Sequence, residues 1–445
     1  MTRSFDLVLK GGTVVNQDGE GVRDLGIADG RIAALGDLAQ AAAGEVIDCR
    51  GLHLLPGVID TQVHFRDPGL THKEDLETGS RSAAMGGVTA VFEMPNTNPT
   101  TTDVGALAAK VASARHRMHC DFAFFIGGTR ENTRELGELE RLPGCAGVKV
   151  FMGSSTGSLL VEDDEGVRNI LEAIRRRASF HSEDEYRLNA RKPLRVEGDP
   201  RSHPVWRDEQ AALQCTQRLV GLARETGRRV HVLHITTAQE MEFLKDHKDV
   251  ASVEVTPHHL TLTAPDCYAR LGAFAQMNPP VRDATHREAI WRALDQGTVD
   301  VLGSDHAPHT REEKTKPYPA SPSGMTGVQT LVPIMLDHVN AGRLSLMRLV
   351  DLTSAGPARL FGIARKGRIA LGYDADLTVV DRKRRETITD RWIASRAGWT
   401  PYDGVSVTGW PVGTVVRGHR VMWEGELTAP ARGEAVEFLE TIAAR

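Results

Sequence analysis

The sequence predicts a (β/α)8 barrel of the TIM type joined to a small β-sandwich domain built from both chain ends. Three observations carry this prediction. Eight short apolar runs recur through about 250 residues of the middle, helix-compatible stretches separate them, and turn-punctuated β-rich segments lie at both ends. In chain order, FDLVLKGGTVV, DLGIADGRIAALG and GEVIDCRGLHLLPG read as strands broken at Gly-Gly, Asp-Gly and Pro-Gly. The eight runs follow: LLPGVIDTQVHF, GVTAVFEMP, CDFAFFIGG, GVKVFMG, ASFHSE, RVHVLHIT, VASVEVTPHH and TVDVLGSDHAPH. Between them, DVGALAAKVASARHR and DEQAALQCTQRLVGLARETG are amphipathic, as crossover helices should be. The β texture returns in GRIALGYDADLTVVD and GTVVRGHRVMWEGE. The expected division is 1–55 with 366–430 for the sandwich, 56–365 for the barrel, and 431–445 for a C-terminal helical tail. A doubly wound open sheet would alternate in the same way. The polar residue that ends almost every run favours the barrel, in which all eight C-terminal strand ends meet at one rim.

With 445 residues, 40% hydrophobic and 25% charged, the chain has ample material for a large core. A net charge of −5 without long like-charged blocks argues against nucleic-acid or anionic-membrane binding, and RKGR and RKRR read as solvated surface. Five scattered cysteines with no C-x-x-C pair fit reduced thiols of a cytoplasmic protein. No segment reaches the length of a membrane helix.

The strand ends collect Gln62, His64 and Arg66 from the first run, Asn96 after the second, Lys149 in the fourth, His181 in the fifth, His234 in the sixth and Asp305 in the eighth. In DTQVHFRDPG, Asp60, Gln62, His64 and Arg66 alternate, so one strand face should carry all four. Three imidazoles and a carboxylate at one mouth make a divalent-metal site of the zinc type. An ammonium at Lys149 would repel a dication, whereas a neutral lysine can take up carbon dioxide and become a bridging carbamate; a buried Lys–carboxylate pair is the other reading. Asp305 has the type and place for a ligand that doubles as general base, or for a structural ion pair. His231, His258 and His259 read as core or supporting groups, and SPSGMTGVQT as a loop or a substrate contact.

HFRDPGLTHKEDLETGSRSAA, AVFEMPNTNPTT, GVKVFMG, HSED, HVLHITT, EVTPHHL, QMNPPVR and SDHAPH, in this order, resemble the dihydroorotases of the amidohydrolase superfamily, from about residue 5 to 425. The resemblance implies a metal-bearing barrel with a composite sandwich, and reversible cyclisation of N-carbamoyl-aspartate to dihydroorotate in pyrimidine synthesis. It implies one or two zinc ions: His64 on the more buried one, a carbamylated Lys149 as bridge, His181 and His234 on the second, and Asp305 as ligand and proton shuttle. Arg66, Asn96 and His309 match positions that hold the substrate carboxylate, and Asn278 one that contacts the pyrimidine ring. Arg66 with Asn96 favours dihydroorotase over the related hydantoinases, because a cationic fork suits a carboxylate that hydantoins need not carry.

Two positions depart from the family pattern. Several dihydroorotases carry Asp where this chain has Lys149, which leans toward the hydantoinase style of bridge. Gln62 stands where relatives have the first histidine of H-x-H; its amide oxygen is a weaker donor to zinc, so the buried metal is expected to bind less tightly. Other readings of the resemblance are a hydantoinase- or allantoinase-like cyclic-amide hydrolase, and a non-catalytic partner of aspartate carbamoyltransferase. Expected partners are a small-molecule substrate, further copies of the chain in a dimer or tetramer, and in association aspartate carbamoyltransferase.

Overall fold

A computed structural model describes residues 4–155 and 159–441. Five strands open the chain: β1 (Ser4–Asn16), β2 (Gly19–Ala28), β3 (Arg31–Gly36), β4 (Ala42–Asp48) and β5 (His53–Pro56). Eight parallel strands follow: β6 (Val58–Val63), β7 (Val88–Glu93), β8 (Asp121–Gly127), β9 (Cys145–Phe151), β10 (Ala178–His181), β11 (Val230–Val232), β12 (Ala251–Val255) and β13 (Val301–Leu302). These are the eight apolar runs. Four more strands, β14 (Leu377–Thr387), β15 (Ser406–Val416), β16 (His419–Trp423) and β17 (Glu426–Leu427), end the pattern.

The barrel strands are buried on both faces, as a parallel sheet covered by helices requires. Within β8, Phe122, Phe124 and Ile126 pack outward with helix residues such as Leu107 and Leu136, while Ala123 and Phe125 point inward. The two amphipathic segments form helices at Val104–Ala114 and Glu209–Thr226. Asp103 and Asp208 cap their N-termini, and Gly227, at φ 66°, ends the second in the left-handed conformation. The barrel closes where β6 meets the eighth strand: Val63 bridges His306, and the His64 N–H donates to the His306 carbonyl at 2.7 Å.

Both chain ends build the second module, a nine-stranded mixed sheet joined by antiparallel pairing of β5 with β14. Its wings return toward each other, where Arg420 of β16 pairs with Glu45 of β4 at 2.6 Å. Its apolar core includes Leu9, Leu25, Ile27, Leu54 and Val379. All five cysteines are buried and unpaired. Among the described residues no helix is long and apolar enough to cross a membrane.

The helical tail expected over 431–445 does not form across 431–441; residues 442–445 lie outside the described residues. The segment is extended instead. Phe122 N–H donates to the Glu434 carbonyl at 3.0 Å, and Val436 N–H to the Phe122 carbonyl at 2.8 Å. Val436 and Phe438 alternate as on a strand and fill the N-terminal end of the barrel beside Phe92, Phe125 and Phe361. A helix would point these two side chains 200° apart and could not plug the opening with both (about 100° per residue). Phe438→Ala should therefore cost about 3 kcal/mol and lower the thermal unfolding midpoint by several degrees, read by calorimetry.

Candidate active site

The chain leaves the barrel strands abruptly at the rim. Of eight non-glycine residues in the left-handed region among the described residues, Arg66 (φ 65°), His234 (φ 39°) and Asp305 (φ 49°) all lie just beyond strand ends. Such backbone costs about 1–3 kcal/mol per residue and persists where the surroundings impose it. The alternation expected to carry Asp60, Gln62, His64 and Arg66 on one strand face stops at Val63. Asp60 lies beneath the site, accepting from Ser304 N–H at 2.9 Å and from Gln62 N–H at 3.2 Å. Gln62, His64 and Arg66 line one tight cleft together with Asn96, Lys149, His181, His234, Asn278 and Asp305. His309 stands behind Arg66.

The metal-type donors come in two pairs. His64 Nε2 lies 3.3 Å from Asp305 Oδ1, its Nδ1 held by Asn96 Oδ1 at 2.8 Å. His181 Nδ1 lies 3.1 Å from His234 Nε2. Burial lowers the pKa of all three imidazoles, so they are neutral and keep a lone pair for a metal. Among the described residues no three of His, Cys, Asp and Glu gather as a ready metal site. Two ligands at about 2 Å from one tetrahedral zinc sit about 3.3 Å apart. Each pair therefore has the separation of two ligands on one ion, and each needs a further donor.

Lys149 is the group within electrostatic reach of both pairs. Among the described residues its buried Nζ has no hydrogen-bond partner, which argues against the expected alternative of a buried lysine–carboxylate pair. Burial pushes the amine down to about 7. Gln62 donates from Nε2 to Asp305 Oδ1 at 3.0 Å, leaving its own Oε1 buried and unpaired.

The other wall is cationic. Arg66 Nε donates to the Pro308 carbonyl at 3.2 Å and its Nη2 meets His309 Nε2 at 3.3 Å. Nη1 is buried without a partner. Burial brings Arg66 down to about 10, so it stays charged at neutral pH. His309 is flanked by Lys73 at 3.1 Å and is pushed down to about 3 by burial. Asn278 Oδ1 meets His203 Nε2 at 3.0 Å, and Ser323 and Gly324 of the SPSGMTGVQT segment line the cleft.

Several supporting residues escaped the reading of the sequence. Glu183 Oε2 holds His181 Nε2 at 2.9 Å and pairs with Arg207. Burial alone would raise its carboxyl, but Arg207 and His181 hold it well below the usual range. It therefore orients His181 with Nδ1 toward His234. Glu254, under Lys149, accepts from Thr61 at 2.7 Å and is pushed up to about 8 by burial. The HSED and EVTP stretches contain both acids, but only the fold turns them toward the site. His231, His258 and His259 satisfy Ser252, Tyr402 and Thr256 respectively, each at 2.9 Å, as supporting groups should.

Residues 53–421 match the amidohydrolase family. The chain is 37% identical to a dihydroorotase from Methanosarcina mazei, covering 92% of this chain and 93% of that one. It is also 37% identical to a dihydroorotase from Halobacterium salinarum, covering 93% and 99%. A solved L-hydantoinase (dihydropyrimidinase) from Arthrobacter aurescens superposes with a TM-score of 0.93 at 32% identity, covering 97% of this chain and 99% of that one. These matches, like the paired donors, point to a metal cofactor. The match over 53–421, the barrel with its two-ended sheet and the near-complete coverage of these relatives agree: the chain belongs to the amidohydrolase family.

Proposed function

We propose that this chain is a dihydroorotase, catalysing reversible hydrolysis of the ring amide of dihydroorotate to N-carbamoyl-aspartate. One observation carries the choice of substrate: Arg66 lines the cleft that holds the two donor pairs, and its buried Nη1 has no partner among the described residues. A desolvated guanidinium without an anion is costly, and a carboxylate on the cyclic amide would supply the missing partner. The dihydroorotase relatives support the same reading. The lysine at 149 and the L-hydantoinase likeness favour hydantoin as the competing substrate, so both compounds belong in the assay.

In this reading His64 and Asp305 would hold one zinc and His181 and His234 the other. The neutral Lys149 amine could add to carbon dioxide, forming an N–C bond and losing a proton, and the carbamate would supply the further oxygen donor that each pair needs. Zinc held there would acidify bound water from 15.7 to about 7 and polarise a carbonyl. Asp305 Oδ1 is occupied by Gln62 and His64, leaving Oδ2 to take the proton of the attacking water and return it to the departing ring nitrogen. Arg66, steered by the Pro308 carbonyl and His309, orients the substrate carboxylate, with Asn96 beside it, and Asn278 faces the ring.

Asp305→Ala should lower kcat for dihydroorotate by about 1000-fold or more with the fold intact by circular dichroism; retained activity refutes the role. Arg66→Gln should act mainly on KM, raising it about 30- to 100-fold for dihydroorotate while leaving any hydantoin turnover nearly unchanged. Metal analysis should find one tightly held zinc and a second lost on brief dialysis against chelator. Gln62→His should retain the second, and Lys149→Ala should lose both.

A further inference from the structure

At the opposite end of the barrel from this site lies an open cleft of about 410 Å³ lined by Arg175, Arg176, Arg177, Arg228, Arg229 and Arg359. Arg175–Arg177 immediately precede β10 and Arg228–Arg229 immediately precede β11, so two separate basic runs meet at the N-terminal ends of neighbouring strands. Glu440 is the one carboxylate among the described residues of its lining. Three of the guanidiniums are held by backbone. Arg176 donates to the Glu140 carbonyl at 2.6 Å and to the Cys145 carbonyl at 3.1 Å, Arg177 to the Val230 carbonyl at 2.9 Å, and Arg228 to the Leu171 carbonyl at 3.1 Å. Arg359 is paired with Asp351 at 3.2 Å. Among the described residues the side chains of Arg175 and Arg229 have no partner, and both are exposed.

Carbonyl capping explains three of these arginines but not the two free ones, whose charges add to the repulsion. Arg229 acts directly on its neighbour: after burial, it is the main influence depressing Arg177, which is brought down to about 10. A multivalent anion would relieve that repulsion at the exposed Arg175 and Arg229, while Arg176, whose two Nη atoms donate to four carbonyls, adds fixed charge. Planar forks of this kind match phosphate oxygens. Leu360 and Leu439 add apolar surface to the same cleft.

We propose that this cleft binds a small phosphate-bearing anion, either inorganic pyrophosphate or the polyphosphate of a nucleotide. The test is isothermal titration calorimetry of the metal-loaded full chain with sodium pyrophosphate and, separately, with ATP, at fixed ionic strength. Saturable binding of one anion per chain is expected, weakened about 100-fold in the Arg175→Gln/Arg229→Gln double variant and about tenfold in Arg229→Gln. Dihydroorotate hydrolysis without the anion should be the same in all three proteins. Tighter binding of ATP than pyrophosphate assigns a nucleotide; equal or weaker binding assigns the inorganic anion. Absence of saturable binding, equal binding by the double variant, or equal heats from sodium sulfate overturns the proposal.

Discussion

The barrel is sealed where its first strand meets its last, and everything at the rim depends on that seam. The Asp60 carboxylate, wholly buried, accepts the backbone N–H groups of Gln62 and of Ser304, 244 residues further along the chain. Burial pushes this carboxyl up to about 7, so the seam is held by an acid strained toward its neutral form. The neighbouring bond from His64 to the His306 carbonyl completes the closure. Only with the seam shut do Gln62 and His64 face Asp305. The pairing of His64 with Asp305 is thus a property of barrel closure, not of either segment.

A second constraint is the concentration of unmet polar groups. Buried polar atoms are nearly always hydrogen-bonded, and an orphan costs about 1–3 kcal/mol. Yet Gln62 Oε1, Arg66 Nη1, Lys149 Nζ and His234 Nδ1 all lack partners within one small cleft. The fold tolerates this deficit because the rest of the protein supplies the stability, and the deficit is what a metal and an anionic substrate would cancel. The left-handed residues at the same rim add to it.

Much of this was legible in the sequence, and for a definite reason. Parallel barrel strands are buried on both faces, so they read as apolar runs, and a polar residue at the end of such a run has one place to go, the rim. Gln62, Lys149, His181, His234 and Asp305 follow from that rule alone. Where the chain leaves the strand pattern, the rule fails: the turn at Arg66 broke the expected alternation after Val63. Glu183 and Arg207 were invisible because their importance lies in a contact between distant segments. The tail departs from its expected helix for a related reason. EAVEFLE suits a helix locally, but Val436 and Phe438 are needed side by side under the barrel, and tertiary packing overrode propensity.

The sheet shared by the two chain ends has a consequence for the order in which the protein folds. Val58 N–H donates to Thr378 Oγ1, and His53 of β5 pairs with Val380 of β14, across a loop of more than 300 residues. Closing so long a loop before any intervening structure exists is entropically unfavourable and slow. The barrel between them shortens that loop to the distance between its own first and last elements. Until it does, β1 to β5 wait with an unpaired edge at β5. The catalytic barrel is thus also the template on which the second module assembles, and the module's completion reports that the barrel has closed.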